Sequence, residues 1–148
     1  MNRFAACLAG FLLSAGLSLA GEKSVMHCFA FTPIATASQA EWDAFYKATD
    51  ALPQKINGLK RVWYGKLMRP LTQYNLAIQD AEARKKLMAD MKGNADVTVL
   101  RREHGACFEF ADEAAFKAYG PDPAHKEWEA AYAKVRVPGT TTYQIIGQ

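Results

Sequence analysis

The chain has 148 residues, enough for one domain, and half of them are hydrophobic. Charged residues make up an ordinary 22% of the chain, so a packed core is feasible and the composition argues against disorder. The net charge of +3 at pH 7 is small, and it gives no basis for binding nucleic acid, which requires clustered positive charge.

The first twenty residues have the pattern of an export signal. A short polar start containing Arg3 precedes an apolar run at residues 4–19, and small residues around Ala20 precede a polar turn. This pattern predicts a signal peptide cleaved after about Ala20, and a periplasmic or secreted mature protein of residues 21–148 with no membrane contact. The alternative is an uncleaved anchor, but the apolar run is short for a span of about 20 residues.

Four segments have the composition of strands. They lie at residues 25–31, 59–68, 104–110 and 140–146, and the third could begin near Val97. Side-chain alternation places His27 and Phe29 on one face of the first strand. It places His104 and Phe108 on one face of the third strand.

The first helix is predicted from a capping box. Ser38 and Glu41 can satisfy each other's backbone N–H groups, and Pro53 is expected to close the helix. Its apolar residues recur at helical spacing and indicate a core-facing stripe. They are Trp42, Phe45, Tyr46, Thr49 and Leu52.

Two further helices flank a break near the end of the chain. Asp112 can cap a helix that runs to Tyr119, with Gly120 as its stop residue. Asp122 can cap the next helix, with Pro123 at the first position, where proline is favoured. The second helical region is therefore predicted to be broken between residues 120 and 123.

The segment from about residue 70 to 101 is longer than a hairpin connection needs. Pro70 is expected to end the second strand, and residues 77–91 are predicted to form a helix that stops at Gly93. Such an insertion serves as a lid or partner surface in some proteins. The alternative is a helix that only covers the sheet edge.

The order βαββαβ predicts an α+β, ferredoxin-like fold with an antiparallel sheet and helices on one face. The first and third strands are expected side by side in the middle of the sheet. The other face of the sheet would be bare, and a homodimer packed sheet on sheet is the simplest way to bury it.

His27, His104 and His125 are predicted to converge in the cleft between this sheet and the broken helix, beside Tyr119. An imidazole can accept a proton near neutral pH, and a tyrosine hydroxyl can hold a carbonyl oxygen as it gains charge. We assign His125 and Tyr119 as candidate catalytic residues. The candidate ligand-binding residues are His27, His104, Phe29 and Phe108.

Purely structural roles remain open for the same residues. Single histidines on apolar strand faces are usually core residues, and His125 could have no role beyond helix capping. A metal site made by the three histidines has no carboxylate at suitable spacing to support it, so we predict neither a metal nor a cofactor.

Strand alternation predicts that Cys28 and Cys107 point away from the histidines on adjacent strands. Directly opposite positions would allow a disulfide, which an exported protein can keep. The alternative is a pair of buried free thiols.

With these residues assigned, the chain resembles the stress-response A/B barrel (Dabb) domain family over almost all of residues 21–148. The resemblance rests on His27, the Trp63-Tyr64-Gly65-Lys66 strand and His104. It rests above all on the stretch from Tyr119 to His125, which is similar to the family signature Tyr-x-x-His-Pro-x-His, with Asp122 in place of the first histidine.

The resemblance implies a dimeric α+β barrel. It also implies a cleft in which Tyr119 and His125 match the residues that carry an aldol-type cyclisation in a plant polyketide cyclase of the family. Three features differ from that cyclase. A pocket tyrosine of the cyclase falls at Thr49, and the insertion at residues 70–101 is extra. The predicted signal peptide would place this chain outside the cytosol.

The sequence leaves three functions open. The first is binding of a small, partly apolar molecule in the cleft. The second is a cyclase- or isomerase-like enzyme that uses His125 and Tyr119, and the third is a structural stress protein. Haem-degrading and quinol-type monooxygenases share a related fold and remain a distant alternative.

Overall fold

The computed structural model describes residues 23–78, 80–90 and 92–147. The predicted signal peptide at residues 1–20 lies outside them and stays a prediction. The described elements, in chain order, are β1 (Val25–Phe31), α1 (Gln39–Lys55), β2 (Leu59–Leu76), α2 (Ala81–Asp90), β3 (Val97–Phe110), α3 (Glu113–Tyr119), α4 (Pro123–Val135) and β4 (Thr141–Ile146).

The four strands form one antiparallel sheet in the order β2-β3-β1-β4. The predicted fold class is confirmed: β1 and β3 are the two central strands, and the order of elements is that of a ferredoxin-like α+β domain. No helix within the described ranges has both the length and the apolar character to cross a bilayer.

The core lies between the sheet and the helices α1, α3 and α4. Aromatic residues dominate it, and many of their rings meet edge to face, which is a favoured geometry. The fully buried side chains include Phe31, Phe45, Leu52, Phe108, Phe110 and Val135. This burial confirms the core-facing stripe predicted for α1. It also identifies the face of the sheet that the helices cover.

The prediction that the second strand ends at Pro70 is wrong, because β2 continues to Leu76. The pairing with β3 shifts register between Lys66 and Leu71, so Pro70 lies in an irregular stretch. Because β2 is an edge strand, a residue without an N–H is tolerated there. The two ends of the 70–101 segment, at residues 70–76 and 97–101, therefore extend the β2–β3 hairpin.

The helix predicted at 77–91 is shorter than expected. It is α2, which runs from Ala81 to Asp90 and buries none of its described side chains. It follows the end of the hairpin, where the Ala77 N–H donates to the Asp96 carbonyl at 2.8 Å. α2 therefore does not contribute to the core.

Two predicted helix ends need correction. Pro53 does not close α1, because the helix continues to Lys55 and the Ile56 N–H still bonds the Leu52 carbonyl at 2.9 Å. Gly120 does follow α3, but its φ of −57° is right-handed, so it does not form the left-handed stop expected of a glycine.

Cys28 and Cys107 lie opposite each other on the central strands and form a disulfide, with Cα atoms 4.1 Å apart. In the same row across the sheet lie Trp63 of β2 and Tyr143 of β4. Both aromatic side chains are almost half exposed. The face of the sheet opposite the helices is thus apolar and uncovered in the single chain.

Candidate functional site

A cavity of about 140 Å³ lies between α4 and the β1–β4 side of the sheet. It is lined by His27, Phe29, Tyr119, His125, Trp128, Glu129, Tyr132, Arg136, Thr140 and Thr142. The cavity therefore combines aromatic walls with several polar groups.

The break between α3 and α4 positions Tyr119 and His125. The Asp122 carboxylate accepts the Ala124 N–H at 2.7 Å and starts α4, which places His125 in the first turn. His125 Nδ1 lies 3.0 Å from the carbonyl oxygen of Gly120. The rings of Tyr119 and His125 are 4.0 Å apart between centroids, so the two candidate catalytic residues are in contact.

The tautomer of neutral His125 follows from that hydrogen bond. A carbonyl oxygen can only accept, so Nδ1 carries the proton and Nε2 keeps a lone pair. Within the described ranges, no residue hydrogen-bonds His125 Nε2 or the Tyr119 hydroxyl. A proton acceptor and a hydroxyl donor are therefore both available to a ligand.

His27 has the opposite tautomer. The Gln144 side-chain amide, on the neighbouring strand β4, donates to His27 Nδ1 at 2.9 Å. Neutral His27 therefore carries its proton on Nε2. Its ring lies 5.3 Å from Phe116 and 6.2 Å from Tyr119 between centroids. The cavity thus holds one imidazole poised to donate and one poised to accept.

Burial keeps the key groups uncharged. It lowers the pKa of His27, and the nearby His125 lowers it further. Burial also raises the pKa of the Tyr119 phenol far above its usual value, with a smaller contribution from Glu129. Near neutral pH, His27 is therefore a neutral donor and Tyr119 a protonated hydroxyl.

The other end of the cavity contains residues that the sequence prediction missed. Tyr132 is only 4% exposed, and the Arg136 guanidinium carbon lies 4.6 Å from the centre of its ring. The Tyr132 hydroxyl and Arg136 Nε are buried without a hydrogen-bond partner among the described residues. Helical spacing could have found these residues, since positions 125, 129, 132 and 136 lie along one side of a helix.

The predicted convergence of three histidines is wrong for His104. It pairs with Phe31, whereas His27 pairs with Phe108, four residues further along β3. At about 3.3 Å per residue, this separates the two positions along the strand by roughly 13 Å. His104 instead lies against Trp42 of α1, at 5.0 Å between ring centroids, and does not line the cavity.

The separation of His104 also removes the three-histidine metal site. No cluster of three His, Cys, Asp or Glu side chains suited to a metal occurs in the part of the chain that the structure describes. Burial lowers the pKa of His104, and its Nδ1 has no partner among those residues. His104 is thus a half-buried residue that packs beneath α1.

The two predicted phenylalanines differ in role. Phe29 lines the cavity, whereas Phe108 is fully buried beneath it and packs on Phe29 and Trp128 at 5.3 and 5.4 Å between centroids. Phe108 therefore supports the wall without being able to contact a ligand.

Thr49 is also a core residue. Its hydroxyl donates to the Phe45 carbonyl at 2.7 Å and accepts the Trp128 indole N–H at 2.9 Å. Thr49 is completely buried and does not line the cavity. It holds the indole that forms one wall of the site.

No protein-family model matches this sequence, and no curated protein matches it. Solved structures do match. A dimeric ferredoxin-like protein of unknown function from Thermobifida fusca has a TM-score of 0.54 and 18% sequence identity, covering 84% of this chain and 92% of its own. A Dabb family protein with a ferredoxin-like fold from Mesorhizobium loti has a TM-score of 0.54 and 15% identity, covering 86% and 99%.

A hydroxynitrile lyase from Passiflora edulis is similar to the same extent. Its TM-score is 0.57 and its identity 16%, covering 85% of this chain and 94% of the lyase. At these identities the likeness concerns the fold and not the activity. This chain therefore has a ferredoxin-like α+β fold, which it shares with the Dabb family protein.

Proposed function

We propose that this protein is a Dabb-type homodimer, exported from the cell, that binds a small, partly apolar molecule in the cavity between α4 and the β1–β4 side of the sheet. The observation that carries the proposal is the meeting of His27, Tyr119 and His125 on an aromatic wall. Polar groups that converge beside aromatic side chains in a cleft are typical of a small-molecule site.

The size of the cavity limits the ligand. Its volume of about 140 Å³ is close to that of an engineered cavity of about 150 Å³ that accepts benzene. The walls formed by Phe29, Trp128 and Tyr132 offer flat apolar surfaces. A single ring or a short acyl chain with one or two polar substituents therefore suits the cavity.

The second candidate is an enzyme that uses this site for proton transfer in a cyclisation or isomerisation. The tautomer of His125 favours it, because Nε2 is free to take a proton from an acidic C–H or O–H group. The protonated Tyr119 hydroxyl could stabilise the carbonyl oxygen as it gains charge. The hydroxynitrile lyase provides a precedent for an enzyme with this fold.

The uncovered sheet face supports the homodimer. Trp63, Tyr143 and Ile145 are each about half exposed on that face, around the buried Cys28. The Thermobifida fusca neighbour is described as dimeric. Light scattering with size-exclusion chromatography tests the assignment, and replacing Trp63 and Tyr143 with Ser should yield a monomer. A wild-type monomer at micromolar concentration would contradict it.

Export is supported by the leader-like residues 1–20 and by the Cys28–Cys107 disulfide, since disulfides persist in oxidising compartments. Expression of the full chain followed by N-terminal sequencing provides the test. We expect a mature protein that starts near Gly21 in the periplasmic or secreted fraction. An intact N-terminus in the cytosolic fraction would contradict it.

The ligand site itself is tested by fragment binding. Single-ring fragments are screened by ligand-observed NMR, and their affinities are then measured for His125→Ala and Tyr119→Phe. We expect both variants to weaken binding about tenfold, as loss of a hydrogen bond worth about 1.4 kcal/mol would do. The matched controls are Lys126→Ala on the surface of α4 and Tyr74→Phe on the hairpin, which should bind like the wild type.

Turnover separates the two candidates. Binding without conversion of any hydroxy-carbonyl or polyketone compound favours the binding protein, whereas conversion that is lost in His125→Ala favours the enzyme. If no fragment binds, the cleft has no such role and a purely structural protein is favoured. If both variants bind as the wild type does, His125 and Tyr119 do not contact the ligand and the assignment of the site is wrong.

A further inference from the structure

The Arg136 end of the cavity contains polar groups that the proton-transfer residues do not use. The Tyr132 hydroxyl and Arg136 Nε are both buried and have no hydrogen-bond partner among the described residues. Leaving such donors unpaired is costly, so buried polar groups nearly always have a partner. Two buried donors that line one cavity therefore indicate a bound group that accepts hydrogen bonds.

The charge at this end is positive. Within the described ranges, neither Arg136 nor Arg102 has a carboxylate within 4.0 Å. Arg102 is only 3% exposed, and its guanidinium is bound by the hydroxyls of Thr32 and Thr141, which are neutral. Burial raises the pKa of Tyr132, and both arginines oppose that rise, so both charges act at the same hydroxyl. Arg102 does not line the cavity, so an anion there would meet the unpaired charge of Arg136 directly and the charge of Arg102 only at longer range.

The acidic residue in the wall of the cavity is Glu129. Glu129 is exposed, and its charge acts on Tyr119. It is seven residues before Arg136, the residue that follows α4, which is about 10 Å at 1.5 Å per residue, whereas Tyr132 is one helical turn away. Glu129 would therefore repel an anion from the Tyr119 end and leave the Arg136 end as the favourable position.

We propose that Arg136 and Tyr132 form a carboxylate-binding subsite, with the hydroxyls of Thr140 and Thr142 at its edge, and that the ligand is a small aromatic or short acyl carboxylic acid. The inference rests on the proposed small-molecule function of the cavity. One N–H and one O–H donor match the two oxygens of a carboxylate. The acid group lies at Arg136, and the ring or chain extends along Phe29 toward His27 and His125.

Benzoate and benzamide test the subsite, because they have the same ring and nearly the same size but differ in charge. Their dissociation constants are measured by calorimetry on the purified protein at pH 7. We expect benzoate to bind at least tenfold more tightly than benzamide. Arg136→Gln should weaken benzoate at least tenfold and benzamide less than twofold, and Tyr132→Phe should weaken benzoate about threefold, as expected for charge-assisted hydrogen bonds.

Lys134→Gln is the matched control, since it removes an exposed positive charge from the same end of α4 without touching the cavity. It should change both affinities less than twofold. The comparison of benzoate with benzamide in the wild type needs no substitution, so it holds even if a variant fails to fold.

Equal affinity for benzoate and benzamide would overturn the subsite and leave the cavity as a site for neutral molecules. An equal loss of benzoate affinity in Lys134→Gln and Arg136→Gln would also overturn the subsite, because the affinity would then depend only on the net charge of the protein. If neither compound binds the wild type, both the subsite and the small-molecule function are wrong.

Discussion

His125 donates from Nδ1 to the carbonyl oxygen of Gly120, and this bond joins the end of one helix to the start of the next. The last carbonyls of a helix lack partners within it, so the imidazole fills a structural need at the end of α3. The same bond fixes Nε2 as the free nitrogen. Helix capping and readiness to accept a proton are thus two results of one contact, and they need not be alternative explanations of His125.

The environment of His27 leads to a prediction about titration. Its pKa is lowered by burial and by His125, so the imidazole should titrate below its ordinary value of about 6.5. In His125→Ala the midpoint should rise, because one source of repulsion is gone. Proton NMR of the imidazole ring measures both midpoints. A midpoint at or above the ordinary value, unchanged in the variant, would contradict the packing of these two residues.

The same shifts predict how stability depends on pH. His27 and His104 have lowered pKa values in the folded state, so the unfolded chain takes up protons first as the pH falls. The contribution of these two neutral imidazoles to the free energy of unfolding is complete above a pH of about 6.5. It is lost as the pH falls through their pKa values in the folded state. Urea unfolding at several pH values should show this decline, with a smaller slope in His27→Gln.

The disulfide should contribute strongly to stability. It joins residues 79 positions apart on the two central strands, and closing a loop of that size limits the unfolded chain. Reduction, or the double substitution Cys28→Ser and Cys107→Ser, should cost about 2–4 kcal/mol. Urea midpoints with and without dithiothreitol provide the measurement, and the double variant should not respond to the reductant. An equal midpoint for oxidised and reduced wild type would contradict the prediction.

The Thr49–Trp128 hydrogen bond should matter for both the fold and the site. Thr49→Val would leave a buried indole N–H without its partner and should cost about 1–3 kcal/mol. Near-ultraviolet circular dichroism should report altered tryptophan packing. Thr98→Val is the matched control on exposed β3, and it should change stability by less than about 0.5 kcal/mol.

The tip of the hairpin should be dispensable for folding. Residues 78–95 lie beyond the Ala77–Asp96 hydrogen bond, and α2 buries no described side chain. Replacing them with Asn-Gly, which favours tight hairpin turns, should change the free energy of unfolding by less than about 1 kcal/mol. Thermal unfolding measures the effect. A large loss would mean that α2 packs on a surface, such as a partner subunit, that the single chain does not provide.

Much of this fold could be predicted because its signals are local. The capping box at Ser38, the Asp122 cap and strand alternation depend on nearby residues alone. Pro70 was misleading because tolerance for proline depends on whether a strand lies at the sheet edge, which no local pattern encodes. Pro53 was misleading for a similar reason, since donors beyond it still found carbonyl partners.

The site was predicted less completely. Side-chain alternation correctly predicted which face of the sheet carries His104. It did not predict where His104 lies along the sheet relative to α4, because that position depends on how the helices dock. His27 and His125 were predicted to converge from the order of the strands and the broken helix, and in the structure both rings adjoin Tyr119. Helical spacing from His125 leads to Tyr132 and Arg136, but only the packed structure reveals that their polar atoms are buried without partners among the described residues.

The central claim is that His27 and His125 share a ligand site from which His104 is excluded. Nitrogen-15 NMR of the three imidazoles during titration with benzoate tests it most directly, because His104 is an internal control in the same molecule. We predict that the ring nitrogens of His27 and His125 shift with saturation and that those of His104 do not. Unchanged signals from His27 and His125, or a shift confined to His104, would contradict the account.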